Sequence, residues 1–583
     1  MMDLAIHQLF ENQVEKTPEA IALIEDNSKK ITITYKELNL MANKIAHFLY
    51  NNNIGKNDIV AIISKKTSLF IAGVLGILKV GAAYLPIPSN YPVERIEFIL
   101  KDAKVKMSLC ESIDECDYVN NIDINNIFLD DSLEDTNLNL QYDINSYFYV
   151  IYTSGSIGVP KGTKIYQNAF INLLDWYITE FKITSQDTVL FFTQIGFDLT
   201  QKNIFCTLIV GGKLCLYSSE SYNYYQLSEL IQKYAVTMIN CTPSAFIPFV
   251  ELNQKNNYSK LRSIRYTVLG GEPIKVSTLQ KWVSSGECNS MFANTYGPTE
   301  CTDIATYYIV KENDFDELTQ IPIGKAIPNI KLLILNDQGE QDTSGELYIG
   351  GISVGDGYIG LPELNMRSFV EIFDTKYYRT GDQVSITPEG DLLFLGRQDN
   401  QIKYHGNRIE LEEIEYQISK APYVTDAAVV IHNESDLLTA FIVADDNFDQ
   451  EKLKDSLSKH LPKYMIPTQY IELPQFPLTS SGKINRLTLS SYKLHELHPE
   501  TNNMTVDATR DKLIGILEKY EISINDGALN INEQLDSFTF INLVIDIEIE
   551  FELEINDDLL VYEVFIEYTL DDLIDYINKK LNI

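Results

Sequence analysis

Basic residues are the first shortage in this 583-residue chain. Against 82 aspartates and glutamates stand 47 lysines and arginines, a net charge of −35. A surface this acidic repels phosphate backbones and anionic lipid, which argues against nucleic-acid or membrane binding. Cysteine is also sparse. The seven (Cys110, Cys116, Cys206, Cys215, Cys241, Cys288, Cys301) are odd in number and form no C-x-x-C pair, so reduced thiols in a cytoplasmic protein are expected. The most apolar run, Leu69 to Pro88, is interrupted by Lys79 and two prolines, which speaks against a membrane span. The first residues, Met-Met-Asp-Leu-Ala-Ile-His, supply neither a basic lead nor an apolar signal core. Short-period repeats and low-complexity linkers are absent too.

What remains is globular: 45% of residues are apolar, and the length is too great for one core, so three to four domains are expected. The acid is unevenly spread. From Asp507 onward there are 19 acidic against 5 basic residues, which implies an acidic, compact C-terminal module. Upstream, a first helix is read around Leu9-Phe10, then a strand in Thr17-Pro-Glu-Ala-Ile-Ala-Leu23. An amphipathic helix follows, with Leu38, Ala42, Ile45, Ala46 and Leu49 on one face. Glycine, proline and β-branched clusters alternate with helical stretches to about residue 220, the pattern of α/β layers with parallel sheet. Asn294 to Glu300 reads as a tight turn, Tyr378 to Asp382 as a carboxylate placed after a turn, and Gly396 to Glu415 as a solvated turn leading into a helix.

The most informative stretch is Tyr152-Thr-Ser-Gly-Ser-Ile-Gly-Val-Pro-Lys-Gly162. It follows an apolar strand signal, Tyr147 to Tyr152. Its glycines free the backbone, and its hydroxyls and single lysine suit a polyphosphate, although the spacing is not that of G-x-x-x-x-G-K-[ST]. By composition alone it is equally a Gly/Ser surface loop. The order of its residues strongly resembles the ATP-binding loop of the adenylate-forming enzymes: amino-acid-activating domains of nonribosomal peptide synthetases, acyl- and aryl-CoA ligases, and luciferases. One departure is Ile157, where that family usually carries Thr or Ser.

The resemblance implies roles along the chain. Thr153, Ser154, Gly155, Ser156, Gly158 and Lys161 would cradle phosphates. In Asn294-Thr-Tyr-Gly-Pro-Thr-Glu300, Asn294 would bond the adenine amino edge, Tyr296 would pack on the ring, Thr299 would join the ATP site, and Glu300 would help hold Mg²⁺, a cation that prefers oxygen. Asp382 would chelate the ribose hydroxyls, with Phe394 and Arg397 nearby. Asp399 would be a hinge, and Lys483 the catalytic lysine. His405 stands where the family more often has Arg, and Gln167 where it often has His. Asp198, at a strand end, reads by default as a helix cap. In the resemblance it holds a substrate ammonium, with Leu199, Lys202, Asn240, Val268, Gly270, Thr295, Asp303 and Ile304 lining the pocket. Val268 and Gly270 would leave room. Lys202 and Asp303 either neutralise each other, leaving a polar pocket, or meet an acidic or a basic side chain respectively. Near the end, Ser537 in Leu535-Asp-Ser-Phe538 reads as a helix N-cap but also resembles the carrier-protein serine that takes 4′-phosphopantetheine. Ile545 to Ile555 alternates like a strand where carriers have a helix; the helix is expected.

The implied fold is α/β: a large adenylation core of layered sheets and helices at 1–395, a small mobile α+β subdomain at 396–486, a linker at 487–505 and a four-helix carrier at 506–583. The implied activity uses ATP and Mg²⁺ to form an aminoacyl adenylate from a polar α-amino acid, then loads the phosphopantetheine thiol. Expected partners are a phosphopantetheinyl transferase, a downstream condensation or tailoring enzyme, and a small MbtH-like helper. The alternatives are an acyl- or aryl-CoA ligase using free CoA, and a catalytically weak carrier-presenting module.

Overall fold

The computed structural model describes residues 4–492 except 27–29, 112–120, 139, 156–158, 220–221, 275, 312, 319, 398–400, 405–406, 433–436, 446–447 and 478–483; beyond 505 it describes 506–520, 522–525, 528–530, Leu543, Ile547, Thr569, Leu570, Leu573, Ile574 and Ile577. Two compact units result: Met1–Ser218 with Ser228–Ser491, and Ser219–Leu227 with Tyr492–Ile583.

The first unit is layered because its sheets and helices each bury an apolar face. A seven-stranded sheet runs in the order 357–358, 161–166, 147–153, 83–88, 59–64, 107–110, 121–123. A nine-stranded sheet runs 325–326, 306–310, 291–296, 266–270, 238–241, 188–191, 213–216, 21–26, 30–34. Helix Tyr35–Asn51 starts on a capping box, with Thr34 Oγ1 accepting from the Glu37 N–H and Glu37 accepting from the Thr34 N–H. It buries the five residues of the expected face. The apolar run Leu69 to Lys79 forms helix Ser68–Lys79, buried almost throughout. Its close fit depends on small residues: a Cβ on Gly76 would stand 2.6 Å from Ile45. Among the described residues, no helix is long and apolar enough to cross a membrane.

Three expectations need correction. Asn294 is not in a turn: strand Met291–Tyr296 carries Asn294, Thr295 and Tyr296, and only Thr299–Cys301 turns, as a 3₁₀ helix. Asp382 does not follow a turn either. It lies inside the long strand Thr375–Ile386, whose register slips between Gln383 and Val384 beside Gly381 at φ +76°. Glycine there allows an irregularity in the strand and does not end it. Finally, much of 396–415 is not a solvated turn. Gln401–Tyr404 pairs antiparallel with Asn407–Glu410, and Gln401, Tyr404, Asn407, Ile409 and Glu410 are buried. Charge density suggested solvent, but most of these charges are paired.

Residues 402–470 contribute to a separate apolar cluster, built on Ile409, Ile414, Val429, Leu453 and Leu457, around a three-stranded sheet of Val424–Ile431, Leu438–Ala444 and Gln469–Glu472. In the second unit the described residues hold helix Val506–Lys519 and a short hairpin of Ser523–Asn525 and Ala528–Asn530. Leu543 and Ile547 are helical; the alternation beginning at Ile545 had suggested a strand. The expected four-helix carrier is not established by these residues, and Ser537 lies outside them.

One buried charge ties the N-terminal helix to the core. Lys79 is fully buried; its ammonium ion-pairs with Glu11 and donates to Asn137 Oδ1 at 3.1 Å. Removing one partner of a buried pair strands the other. Glu11→Leu should therefore destabilise the unit by about 3–5 kcal/mol, and Lys79→Met in the same chain should recover most of the loss. Urea denaturation followed by fluorescence of the two tryptophans, Trp176 and Trp282, measures both.

Candidate active site

Three adjacent parallel strands deliver one wall of the site. Asn240 lies in register with Val268, Leu269 with Asn294, and Gly270 with Thr295. All sit toward the carboxyl ends of their strands, where open α/β sheets bind ligands. Helix Asp198–Leu208 faces them. Its N-cap is Phe197, so Asp198 is the first helical residue and not the cap; Asp198 Oδ1 accepts from the Leu199 N–H at 2.7 Å. Among the described residues, no basic side chain pairs directly with this half-buried carboxylate.

Lys202 and Asp303 face each other: Nζ to Oδ2 is 2.6 Å, with both side chains buried. Burial pushes the Asp303 carboxyl up to about 6, with Lys202 pulling it down and Asp198 pushing it up. Lys202 also donates to the Leu199 carbonyl at 3.0 Å, and Asn240 Nδ2 donates to the same oxygen at 2.9 Å. Ile304 and Val268 are buried beside them. Gly270 does not leave the room expected of it. A Cβ there would stand 2.6 Å from Thr295 Oγ1, so the threonine already fills that space.

A second group gathers at Tyr296, whose hydroxyl donates to Asp382 Oδ2. Arg397 Nη1 donates to the other oxygen of Asp382 at 2.5 Å, and Phe394 lies 6.4 Å from Tyr296, ring centre to ring centre. Asn294 Nδ2 is committed to the Pro322 carbonyl at 2.9 Å, leaving Oδ1 as an acceptor for an amino group. Thr299 is buried next to Glu300.

Glu300 and the glycine-rich loop meet a set of residues that sequence reasoning missed. Arg408 Nη1 donates to Glu300 Oε2 at 2.8 Å, and the Tyr358 hydroxyl donates to Oε1 at 2.5 Å. Glu413 accepts from the Gly155 N–H at 2.9 Å and from Arg95 Nη1 at 2.8 Å. Glu410 lies 3.4 Å from Lys161 Nζ, and its N–H donates to Ser154 Oγ at 3.1 Å. Ser154 Oγ in turn donates to the Arg408 carbonyl at 2.7 Å. Thr153 Oγ1 is buried without a partner. Three acids (Glu300, Glu410, Glu413) thus balance three bases (Lys161, Arg408, Arg95). The signal was available: Arg408 and Glu410, two apart on a strand, must share a face, with Ile409 on the other. Lys403 reaches in as well, its ammonium 5.9 Å from the Tyr296 ring centre. Ser156, Gly158, Asp399, His405 and Lys483 lie outside the described residues.

Chemically, the loop is an anion receptor whose present anions are side chains. A backbone N–H and an ammonium meet carboxylates, and a hydroxyl donates to a main-chain carbonyl, much as the three would meet phosphate oxygens. Among the described residues no group of three or more His, Cys, Asp or Glu could cage a metal. Glu300 alone still fits Mg²⁺ shared with phosphate oxygens and water, once Arg408 releases its oxygen.

The model described as AMP-binding enzyme matches residues 10–359, and that of the AMP-binding enzyme C-terminal domain matches 413–483. Zwittermicin A synthase ZmaJ of Bacillus cereus is 34% identical over 506 residues, covering 84% of this chain and 95% of that protein. Gramicidin S synthase 1 of Brevibacillus brevis is 34% identical over 503 residues, again 84% of this chain but 44% of the synthase, so the chain spans less than half of that relative. A solved structure, holo-PA1221, an NRPS protein containing adenylation and PCP domains, matches with a TM-score of 0.75 over 99% of this chain and 97% of its own, at 20% identity, a likeness of fold.

Burial alone would raise the Glu300 carboxyl, but Arg408 and Lys161 outweigh it and hold the group at about 2. A depressed carboxyl stabilises the fold fully above the ordinary carboxylate value and loses that contribution as pH falls through about 2. Glu300→Gln should cost on the order of 3 kcal/mol at neutral pH. The gap to wild type should narrow between about pH 4.5 and 2. Urea midpoints across pH check this; a gap as wide at pH 3 as at pH 7 would contradict the ion-pair assignment.

Proposed function

The chain belongs to the AMP-binding enzyme family, and from that premise we propose that it activates an α-amino acid with ATP for nonribosomal peptide assembly. The observation that carries the amino-acid reading is Asp198. It is a half-buried carboxylate with no direct ion-pair partner among the described residues, Lys403 acting on it only at longer range, and it heads a helix facing the strand ends. A carboxylate in that position favours a cation, and an α-ammonium is one.

In the first step a substrate carboxylate oxygen attacks the α-phosphorus of ATP. The bond to the β-phosphate breaks and pyrophosphate leaves, giving an aminoacyl adenylate. Tyr296 and Phe394 take the adenine and ribose, Asn294 Oδ1 accepts from the adenine amino group, and Asp382 accepts from the ribose hydroxyls. Thr153, Ser154, the Gly155 N–H and Lys161 hold the polyphosphate. Mg²⁺, held by Glu300, would neutralise phosphate charge. Lys483 would act between carboxylate and α-phosphate, where negative charge builds.

The contacts of the hairpin at 401–410 support an alternation between two arrangements. The Gly155 N–H, Lys161 and Glu300 cannot serve the nucleotide while Glu413, Glu410 and Arg408 occupy them. The subdomain at 396–486 would therefore rotate about Asp399 between the steps, with the hairpin off the core and Lys483 at the reacting atoms for adenylation, and with Lys483 removed and the thiol admitted once pyrophosphate has gone. We propose the domain limits core 1–395, subdomain 396–486, linker 487–505 and carrier 506–583. Ser537 would bear 4′-phosphopantetheine, whose thiol supplies the nucleophile for thioester formation. A phosphopantetheinyl transferase installs that arm, a condensation or tailoring enzyme takes the product, and an MbtH-like helper assists in the cytoplasm.

The test is amino-acid-dependent ATP–pyrophosphate exchange by the full chain. One α-amino acid should support it, and Lys483→Ala should lower it by about 10²–10³-fold. Ser537→Ala should leave exchange intact and abolish covalent loading. Activity only with aryl or fatty acids, or thioester formation on free CoA in place of the chain, would overturn the assignment.

A further inference from the structure

Inside the substrate wall, one pair of opposite charges is locked to itself. The Lys202 ammonium donates to Asp303 Oδ2 at 2.6 Å and to the Leu199 carbonyl at 3.0 Å, and lies 5.8 Å from the centre of the Tyr177 ring. The lysine side chain is fully buried and the aspartate nearly so. The charge of Lys202 is neutralised within this buried pair, so a substrate anion would have to compete with Asp303 for it.

Asp303 is held by more than this contact. It and Thr302 both take left-handed backbone, at φ +68° and +59°, a conformation that costs a β-branched residue in particular. Strain of this kind persists only where the surroundings fix it. Thr302 Oγ1 donates to the Ser353 carbonyl at 2.7 Å, and a Cβ on Gly297 would stand 2.2 Å from the Asp303 carbonyl oxygen. The backbone is therefore shaped to deliver this carboxylate to Lys202.

The charge balance has a consequence for the ligand. Asp198, Asp303 and Lys202 together leave one negative charge; Lys403 acts on Asp198 without pairing to it, so the α-ammonium would be its direct partner. A basic side chain would find Asp303 taken, and an acidic one would find Lys202 taken. Either would lie buried and unpaired, the costliest outcome for a charge. The wall is still not apolar. Asn240 Oδ1, Asn203 Nδ2 and the Tyr149 hydroxyl are buried without partners. Asn240 and Asn203 are joined by a 3.0 Å hydrogen bond, and Asn240 shares the Leu199 carbonyl with Lys202. The Tyr149 hydroxyl feels both Asp198 and Asp303, which add to the effect of burial in raising it. Buried polar atoms call for partners.

We propose that the Lys202–Asp303 pair is the charge filter of the pocket and that the substrate is an α-amino acid with an uncharged, hydrogen-bonding side chain, a hydroxyl or a carboxamide. This rests on the amino-acid reading above and narrows it. Lys202 and Asp303 act as positioning residues for selectivity, not in the chemistry.

Exchange kinetics of the full-length wild type, Lys202→Met and Asp303→Asn decide the matter, with folding of each checked by circular dichroism. The panel is serine, threonine, asparagine, glutamine, aspartate, glutamate, ornithine, lysine, leucine and an aryl acid. For wild type, kcat/KM for a hydroxyl or carboxamide amino acid should exceed that for every charged one by at least about 10²-fold. Lys202→Met exposes Asp303 and should raise the basic-to-neutral ratio by at least about tenfold; Asp303→Asn should raise the acidic-to-neutral ratio similarly. A charged or purely apolar amino acid preferred by wild type overturns the inference while leaving amino-acid activation standing. So do folded variants with unchanged charge preference. If a variant fails to fold, the wild-type panel decides alone. Exchange with the aryl acid only, or with no acid, overturns the amino-acid reading and the inference with it.

Discussion

The arrangement at the candidate active site depends on the ion pair between Arg408 and Glu300, with Lys161 and Tyr358 against it. Glu300 is fully buried and ionised, which is tolerable only because two cations and a phenol surround it. The same pair fixes the hairpin at 401–410 on the core. That in turn brings Glu410 to Lys161 and Glu413 to the Gly155 N–H and Arg95. One buried carboxylate thus sets the positions of several elements far apart in sequence.

Buried charge networks of this kind are poor sources of net stability, since each ion loses its hydration. They would suit the interface that the proposed alternation opens. Each partner released from the hairpin can be taken up by another ion of the same sign: phosphate oxygens in place of Glu410 and Glu413, a divalent cation in place of Arg408. Exchange of charges of like sign would keep the free-energy difference between two arrangements small, whereas an apolar interface of the same extent would have nothing to exchange.

The substrate wall follows a different rule. Its charges, Lys202 and Asp303, are paired within the core itself by helix Asp198–Leu208 and by the strained backbone after Cys301. They have no second partner waiting. On the proposed reading, the pocket is a polar surface with one carboxylate lacking a direct cationic partner among the described residues, and that asymmetry would turn the ammonium end of a ligand toward Asp198 and the neutral end toward Asn240 and Tyr149.

By itself the sequence determined the chemistry-bearing strings and the periodic elements. Helix Tyr35–Asn51 and its buried face, strand Tyr147–Thr153 and the loop after it were legible because local spacing and glycine placement dictate them. The family was legible from ordered motifs that no single residue carried. Tertiary structure alone decided the rest. Lys202 and Asp303 are about a hundred residues apart, and only the packing of a helix on a strand end makes them partners; read singly, each left two meanings open. Gly270 looked like free space until Thr295, its neighbour across the sheet, filled it. Asp382 looked like the end of a turn because a glycine precedes it, yet the strand continues through. The charged run from Arg408 to Glu413 looked solvated because most charges are; its partners, Arg95, Gly155, Lys161 and Glu300, come from other segments. Periodicity is a property of neighbours along the chain, while the pairing of charges depends on neighbours in space, and folding alone creates those.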